Sequence, residues 1–294
     1  MSNANTHHHG EDIRLEVFGR TLAAKRWGNP HGPKFLALHG WLDNANTFDR
    51  LAPELAELNL VALDFAGHGY SDHRAPGAHY HQIDDVQDVI AAAQVLGWDR
   101  FGLIGHSMGA QVSAEVSCLF PSKIERCVLV DGMLATGQLE MHERLEQTRE
   151  GLTKMLTSHI KPKIFPDPDA MATRVTEATD QSFAAARSLV ERGHMQVEGG
   201  VTWRTDPRIR YPSPLRPSRE YIDQLLADCE VPSLLIVANQ GDEWYRGEVP
   251  HIAKMHPKLE LQTMDGPHHI HLEPDYYQEV AAKTRAFLEL TEQQ

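Results

Sequence analysis

The feature that most restricts how this chain can fold is the alternation of apolar runs with helical patterns along residues 1–132 and 229–294. The apolar runs predict strands at 13–18, 21–27, 34–40, 101–105, 124–132, 231–239 and 259–266, and at 60–72 a strand that runs into a glycine-rich loop. Helical patterns predict helices at 82–96, 108–120 and 275–290. Alternating strands and helices favour an α/β fold, with a mostly parallel sheet and helices on both of its faces.

The middle of the chain has a different pattern. Residues 133–228 are rich in charge, contain prolines and show a helical pattern at 137–160, with no obvious buried strand. We therefore expect a helical insertion between two strands of the sheet. The predicted organisation is a first core segment at 1–132, the insertion at 133–228 and a second core segment at 229–294.

Composition limits the setting in which the chain works. It has no apolar run of about 18 residues, as a membrane-spanning helix requires, and its polar start lacks the apolar segment of a secretory signal. Three cysteines are too few and too scattered for a disulfide framework, so we expect a cytoplasmic protein. The net charge of −13 disfavours nucleic acid and anionic membranes as partners. The sequence does not indicate an oligomeric state.

A serine stands between two glycines where a predicted strand gives way to a predicted helix, in FGLIGHSMGAQV (101–112). Ser107 is compatible there with an ordinary helix N-cap, which serine favours. The alternative is a nucleophile in a sharp strand-to-helix turn, which needs small neighbours such as Gly105 and Gly109. This position would also place Ser107 at a helix N-terminus, which stabilises a developing oxyanion. We favour the nucleophile because the other groups that it requires are present.

A serine nucleophile needs a base, and MDGPHHIHLEP (264–274) offers His268, His269 and His271. No matching carboxylate or histidine motif accompanies these residues, so we predict no metal site. HYHQID (79–84) lacks the final histidine of a metallohydrolase pattern.

Acyl transfer also requires N–H donors directed at the oxyanion. The residue after the nucleophile, Met108, is expected to supply one of them. The second is expected from the loop after the third strand, LHGWLDN (38–44), where Gly40 allows a turn and the amide of Trp41 points inward. An ordinary loop with a packed tryptophan is the alternative interpretation of this stretch.

The order LHGW, GHSMG, LVDG, LLIVAN and GPHHIHLEP resembles the α/β-hydrolase superfamily over nearly the whole chain. The stretches HGWLDNANTFDRLAP, DFAGHGYSD, RGHMQVEGG and RTDPRI resemble its serine hydrolase-like subfamily. The resemblance implies an eight-stranded sheet, a helical cap over the site and no cofactor. It also implies that His268 is the catalytic histidine, since the H-x-x-x-x-E-P of such proteins matches His268, Glu273 and Pro274. His269 and His271 are then loop or pocket residues.

The acid is the point at which the sequence departs from such relatives. Many of them have an aspartate in a G-x-x-D pattern after the seventh strand, but in VANQGDEW (237–244) Gly241 stands there and Asp242 comes one residue later. Asp131 ends the apolar strand that follows the nucleophile helix. Right-handed winding places that strand beside the nucleophile strand, and Asp131 at the carboxyl edge of the sheet. We predict Asp131 as the acid, with Asp242 as the alternative.

These residues predict a serine hydrolase that cleaves small carboxylic esters through a Ser-His-Asp triad and an acyl-enzyme. A serine at the nucleophile position argues against epoxide hydrolases and dehalogenases, which use an aspartate there. Thioesterase, lactonase, peroxidase-like and carbon–carbon bond hydrolase activities stay open, because one triad supports all of them. A ligand-binding protein with vestigial turnover is a further alternative.

Overall fold

The computed structural model describes residues 10–134, 141–157, 160–241 and 243–290. The strands are β1 (Glu11–Val17), β2 (Arg20–Gly28), β3 (Lys34–Leu38), β4 (Asn59–Leu63), β5 (Phe101–His106), β6 (Ile124–Val130), β7 (His194–Val197), β8 (Gly200–Trp203), β9 (Ser233–Ala238) and β10 (Leu259–Met264). The helices are α1 (Gln82–Val95), α2 (Met108–Leu119), α3 (Met141–Thr157), α4 (Pro168–Thr176), α5 (Phe183–Gly193), α6 (Arg219–Ala227), α7 (Glu243–Met255) and α8 (Tyr277–Leu288).

Eight strands form one sheet in the order β1-β2-β4-β3-β5-β6-β9-β10. The pairs β1–β2 and β2–β4 are antiparallel, and every later pair is parallel. The predicted eight-stranded, mostly parallel sheet is confirmed. Since β3, β5, β6, β9 and β10 run parallel, the loops that follow them meet at one edge of the sheet.

Helices cover both faces of the sheet, and alternate strand residues point to each face. Leu36, Leu103 and Leu235 pack with α1, α2, α6 and α7 on one side. Ala37, Ile104 and Ile236 pack with α8 and two short 3₁₀ helices, Ala45–Phe48 and Ala52–Leu55, on the other. Among the described residues, no helix combines the length and apolar character needed to cross a membrane.

The chain between β6 and β9 contains helices α3 to α6 and a small antiparallel hairpin, β7–β8. The sequence predicted a helical insertion with one helical pattern at 137–160, but not the hairpin, in which Val201 and Thr202 are buried. Each strand has only four residues, which is too few for a recognisable alternation of apolar and polar side chains. The predicted helix at 137–160 corresponds to α3, and residues 137–140 and 158–159 lie outside the described residues.

Candidate active site

Ser107 occupies the tight turn between β5 and α2, with a φ of 52° and a ψ of −117°. A positive φ is a strained backbone conformation for a residue with a side chain. The Ser107 N–H donates to the carbonyl of Val130 at 3.0 Å, and its side chain makes no capping hydrogen bond to α2. The helix-cap interpretation therefore lacks its defining contact, whereas a strained turn from strand to helix is typical of a nucleophile position.

Three glycines make this turn possible. A Cβ at Gly109 would meet the carbonyl of Leu38, and a Cβ at Gly105 would meet the carbonyl of Gly109, each nearer than 3.0 Å. A Cβ at Gly132, just after β6, would meet the backbone of Ser107 equally closely. No side chain fits at these contacts. The sequence pattern pointed to Gly105 and Gly109 but not to Gly132, because Gly132 follows β6 and contacts a residue that follows the neighbouring strand β5.

His268 follows β10, and its Nδ1 lies 2.6 Å from Oδ2 of Asp131. The Asp131 side chain is fully buried, and that of His268 is 29% exposed. Burial alone would lower the pKa of His268, but the hydrogen bond and negative charge of Asp131 outweigh it, so the pKa is raised above its usual value. The carboxylate therefore fixes the orientation of the ring and favours its cationic form.

Asp131 is itself held rigidly at the end of β6. Its Oδ1 accepts a hydrogen bond of 2.8 Å from the Ala238 N–H, and its own N–H donates to the carbonyl of Ile236 at 2.8 Å. Its φ of 44° is a second strained backbone position at this edge of the sheet. One carboxylate oxygen is thus anchored to β9, and the other is free to accept from His268.

The structure brings Ser107, Asp131 and His268 to the same edge of the sheet. Ser107 and Asp131 follow the neighbouring strands β5 and β6. The His268 ring centroid lies 4.7 Å from that of His106, which directly precedes Ser107. Ser107 is half-buried.

Gly241 lies directly against the Asp131 carboxylate. A Cβ at position 241 would come nearer than 3.0 Å to Oδ2 of Asp131, so the two positions cannot both carry an acidic side chain in this arrangement. Asp242, the alternative acid, lies outside the described residues.

The two predicted oxyanion donors lie after β5 and after β3, as expected. Met108 is the first residue of α2, so its N–H belongs to the first turn and has no partner within the helix. Trp41 follows β3, its side chain is half exposed, and its indole Nε1 donates to the carbonyl of Ile209 at 3.4 Å. Their role at an oxyanion stays a prediction.

The other two histidines of the loop belong to a buried polar cluster that the sequence analysis missed in part. Nε2 of His269 lies 3.2 Å from Oδ2 of Asp43, and Nε2 of His271 lies 2.8 Å from Oγ1 of Thr47. The fully buried ring of His106 stands between these loops, and burial lowers its pKa to about 3. Asp43 lies in the loop after β3, and His106, 63 residues further along the chain, ends β5, so spacing gave no signal for them.

The segment between β6 and β9 contacts the edge of the sheet that carries these residues. Asp180 accepts a hydrogen bond of 3.3 Å from the N–H of His268, and Glu273 accepts one of 2.8 Å from the N–H of Ser182. Trp203 packs in an apolar cluster with Phe165, and Met195 is 38% exposed.

Comparison with known proteins identifies a family. A family model described as the alpha/beta hydrolase fold matches residues 33–274. A serine hydrolase-like protein of Dictyostelium discoideum is 30% identical over 298 residues, which cover 93% of this chain and 80% of the relative.

Two solved structures extend the match. A hypothetical protein of Pseudomonas aeruginosa PAO1 has 39% identity and a TM-score of 0.89, covering 95% of this chain and 99% of that one. A thioesterase domain from the curacin biosynthetic pathway has 25% identity and a TM-score of 0.82 over the same shares of the two chains.

Proposed function

The chain belongs to the α/β-hydrolase fold family and is related to the serine hydrolase-like proteins, and from this premise we propose that it cleaves small carboxylic esters through an acyl-enzyme. The observation that carries the proposal is the 2.6 Å contact between His268 and the buried Asp131, beside a serine at φ 52°. A buried carboxylate, an imidazole and a strained serine at one sheet edge form the arrangement that acyl transfer uses.

In the proposed acylation step, His268 Nε2 removes the proton of the Ser107 hydroxyl as Oγ attacks the ester carbonyl carbon. The amides of Met108 and Trp41 donate to the oxyanion of the tetrahedral intermediate. The bond between the acyl carbon and the alcohol oxygen then breaks, and His268 gives its proton to that oxygen. Water, deprotonated by the same imidazole, attacks the acyl carbon of the acyl-Ser107 ester. The bond from that carbon to Oγ of Ser107 then breaks as His268 returns the proton to Oγ, which releases the carboxylic acid and the free serine.

Asp131 acts through His268 in this mechanism. It accepts the Nδ1–H, which leaves Nε2 as the basic nitrogen, and it stabilises the imidazolium formed in each step. The raised pKa of His268 has the sign that this role requires. The reaction uses no cofactor and no metal ion.

We propose that residues 133–228 form a cap that governs substrate choice, between core segments at 1–132 and 229–294. The hydrogen bonds from the His268 N–H to Asp180 and from the Trp41 indole N–H to Ile209 support this role, since both join the segment to loops that carry proposed catalytic residues. Segments of this kind close over a site and bury the substrate. The free cysteines Cys118, Cys127 and Cys229 fit a cytoplasmic setting, and the proposed partner is a small ester-like molecule.

The test is covalent labelling with a fluorophosphonate, followed by turnover of a chain-length series of nitrophenyl esters. Peptide mapping should find the label on Ser107, and Ser107→Ala should lower turnover by roughly 10⁵–10⁶. Ser117→Ala, which removes a buried hydroxyl about three turns further along α2, is the matched control. A label on another serine, or an active Ser107→Ala protein, would overturn the mechanism.

A thioesterase is the second candidate, favoured by the 25% identity to a thioesterase domain. An oxygen ester and a thioester of the same acyl group, compared by kcat/KM, separate the two activities. A stoichiometric burst without further turnover on either substrate would instead indicate a ligand-binding protein.

A further inference from the structure

We propose that Asp43, His106 and His269 form a binding site for a divalent transition-metal ion such as Zn²⁺, beside the proposed catalytic residues but distinct from them. One oxygen of Asp43 and one ring nitrogen of each histidine all lie within 4.8 Å of one another. Asp43 and His269 come from the loops after β3 and β10, and His106 is the last residue of β5. The proposal does not depend on the hydrolase mechanism.

Two of the three distances between the donor atoms match those around a tetrahedral ion. Zinc holds nitrogen and oxygen ligands at about 2.0–2.2 Å, so two ligands of one tetrahedral ion lie about 3.4 Å apart. Oδ2 of Asp43 lies 3.5 Å from Nδ1 of His106 and 3.2 Å from Nε2 of His269. Two imidazoles and a carboxylate are also a donor set that zinc favours.

The hydrogen bonding of His106 indicates what lies between these atoms. Its Nε2 is 3.1 Å from the carbonyl oxygen of His268, and because a carbonyl only accepts, Nε2 carries the proton. In the neutral form of this buried ring, Nδ1 is then a bare lone pair that faces the Asp43 carboxylate. Nδ1 is also buried, with no hydrogen-bond partner among the described residues. Two acceptors facing each other are stabilised by a cation between them.

The same contact has the form of an outer-sphere interaction at a metal centre. Histidine ligands commonly donate their second N–H to a backbone carbonyl, which fixes the ring and its tautomer. His106 makes this contact with the carbonyl of His268. Its lone pair is thereby directed toward Asp43 before any ion binds.

Gly40 leaves space beside the donor atoms. A Cβ at this position would lie 3.0 Å from both Oδ2 of Asp43 and Nδ1 of His106. The side chain of His269 is 11% exposed, whereas that of His106 is fully buried, so an ion would arrive from the side of His269. The sequence predicted no metal site because ligands at positions 43, 106 and 269 have no recognisable spacing.

The experiment measures binding of Co²⁺ and Zn²⁺ to the full chain with His7, His8 and His9 replaced by glutamine, because three consecutive imidazoles bind such ions themselves. The parent should take up one Co²⁺ per chain with the intense visible absorption of a tetrahedral site, and Zn²⁺ should displace it. His269→Gln and Asp43→Asn should each weaken binding by at least about tenfold, the smallest effect expected even for outer-sphere partners.

Two further variants keep the test decisive. Gly40→Ala removes no ligand but fills the space beside two of them, so it should also weaken binding. His251→Gln is the matched control. Nε2 of His251 lies 2.8 Å from an Asp223 oxygen, so this pair also joins a histidine to an aspartate, but it includes no second histidine. The His251→Gln protein should bind the ion as tightly as the parent does. The proposal is overturned if the parent takes up no stoichiometric ion, or if His269→Gln, Asp43→Asn and Gly40→Ala all bind as tightly as the parent.

Discussion

The carboxylate of Asp131 fills the space that a side chain at Gly241 would need. A Cβ on Gly241 would meet Oδ2 of Asp131, the oxygen that contacts His268. The resemblance to α/β-hydrolases implies an acid at the position of Gly241, after the strand that is β9 here. In this chain the carboxylate that contacts His268 comes from the end of β6 instead, and Gly241 leaves the space that this carboxylate occupies.

Asp131→Asn should lower kcat by about 10⁴, because an amide cannot hold the histidine in the required tautomer. Turnover of one nitrophenyl ester, with circular dichroism to check folding, measures the effect. Asp242→Asn is the matched control and should retain most of the activity. If Asp242→Asn is instead the variant that loses its activity, Asp131 is not the acid.

Gly241→Ala should lower kcat by about 10², because the added methyl group displaces the carboxylate that orients His268, and small misplacements in a site have effects of this size. Gly247→Ala, in α7, is the control, since a Cβ there meets nothing within 4 Å. Both variants are compared on the same ester. Equal activity of the two variants would show that a methyl group at position 241 does not displace the Asp131 carboxylate.

The sheet and its order could be predicted because their signal is local. Each buried strand, such as β5 or β9, is an apolar run of about six residues, and each is followed by a helix with its own apolar face. The β7–β8 hairpin could not be predicted, because its strands are short and its first strand is mostly exposed. The hairpin pairs with the chain around Phe165 through a bridge between Phe165 and Val201, and this contact between distant residues leaves no local pattern in the sequence.

The candidate site likewise has residues that the sequence predicted and residues that it did not. Ser107 and His268 lie in motifs that are visible in a few residues, and Asp131 followed from the direction of chain winding. The environment of Asp43 and His106 depends on three loops meeting at one edge of the sheet. No local sequence pattern indicates which loops and strand ends come together, so the polar cluster and the role of Gly132 could be identified only from the structure.

Activity should rise with pH through an ionisation above the usual value of about 6.5 for histidine. His268 acts as a base only when neutral, and its pKa is raised by Asp131, so protonation inactivates the enzyme at a higher pH than for an isolated imidazole. The profile of kcat/KM against pH reports this ionisation in the free enzyme. In Asp131→Asn the residual activity should show a lower midpoint, and an unchanged midpoint would contradict the assigned cause.

Exhaustive chelation should leave turnover unchanged. The proposed steps involve only a serine, a histidine, an aspartate and two amides, and the proposed metal ligands are not among these groups. Activity is measured before and after dialysis against a chelator, with metal content determined in parallel. Loss of activity that zinc restores would contradict a metal-independent mechanism.

Arg192 joins the proposed cap to the core through a buried ion pair. It lies at the end of α5, and its Nε donates to Oδ2 of Asp64 at 2.8 Å. Both side chains are almost completely buried, at 3% and 0% exposure. Nη1 of Arg192 also contacts Asp12 at 2.5 Å, so one guanidinium connects the insertion with β1 and with the loop after β4.

Arg192→Ala should lower the free energy of unfolding by about 3–5 kcal/mol, because it leaves the Asp64 carboxylate buried without a counter-charge. Arg174→Ala is the matched control: Arg174 pairs with Glu177 at the surface, with both side chains more than half exposed, and its loss should change stability by about 0–1 kcal/mol. Urea unfolding measures both variants. Adding Asp64→Asn to Arg192→Ala removes the unpaired charge and should restore part of the loss. Equal stabilities of the two single variants would show that the pair does not fasten this segment to the core.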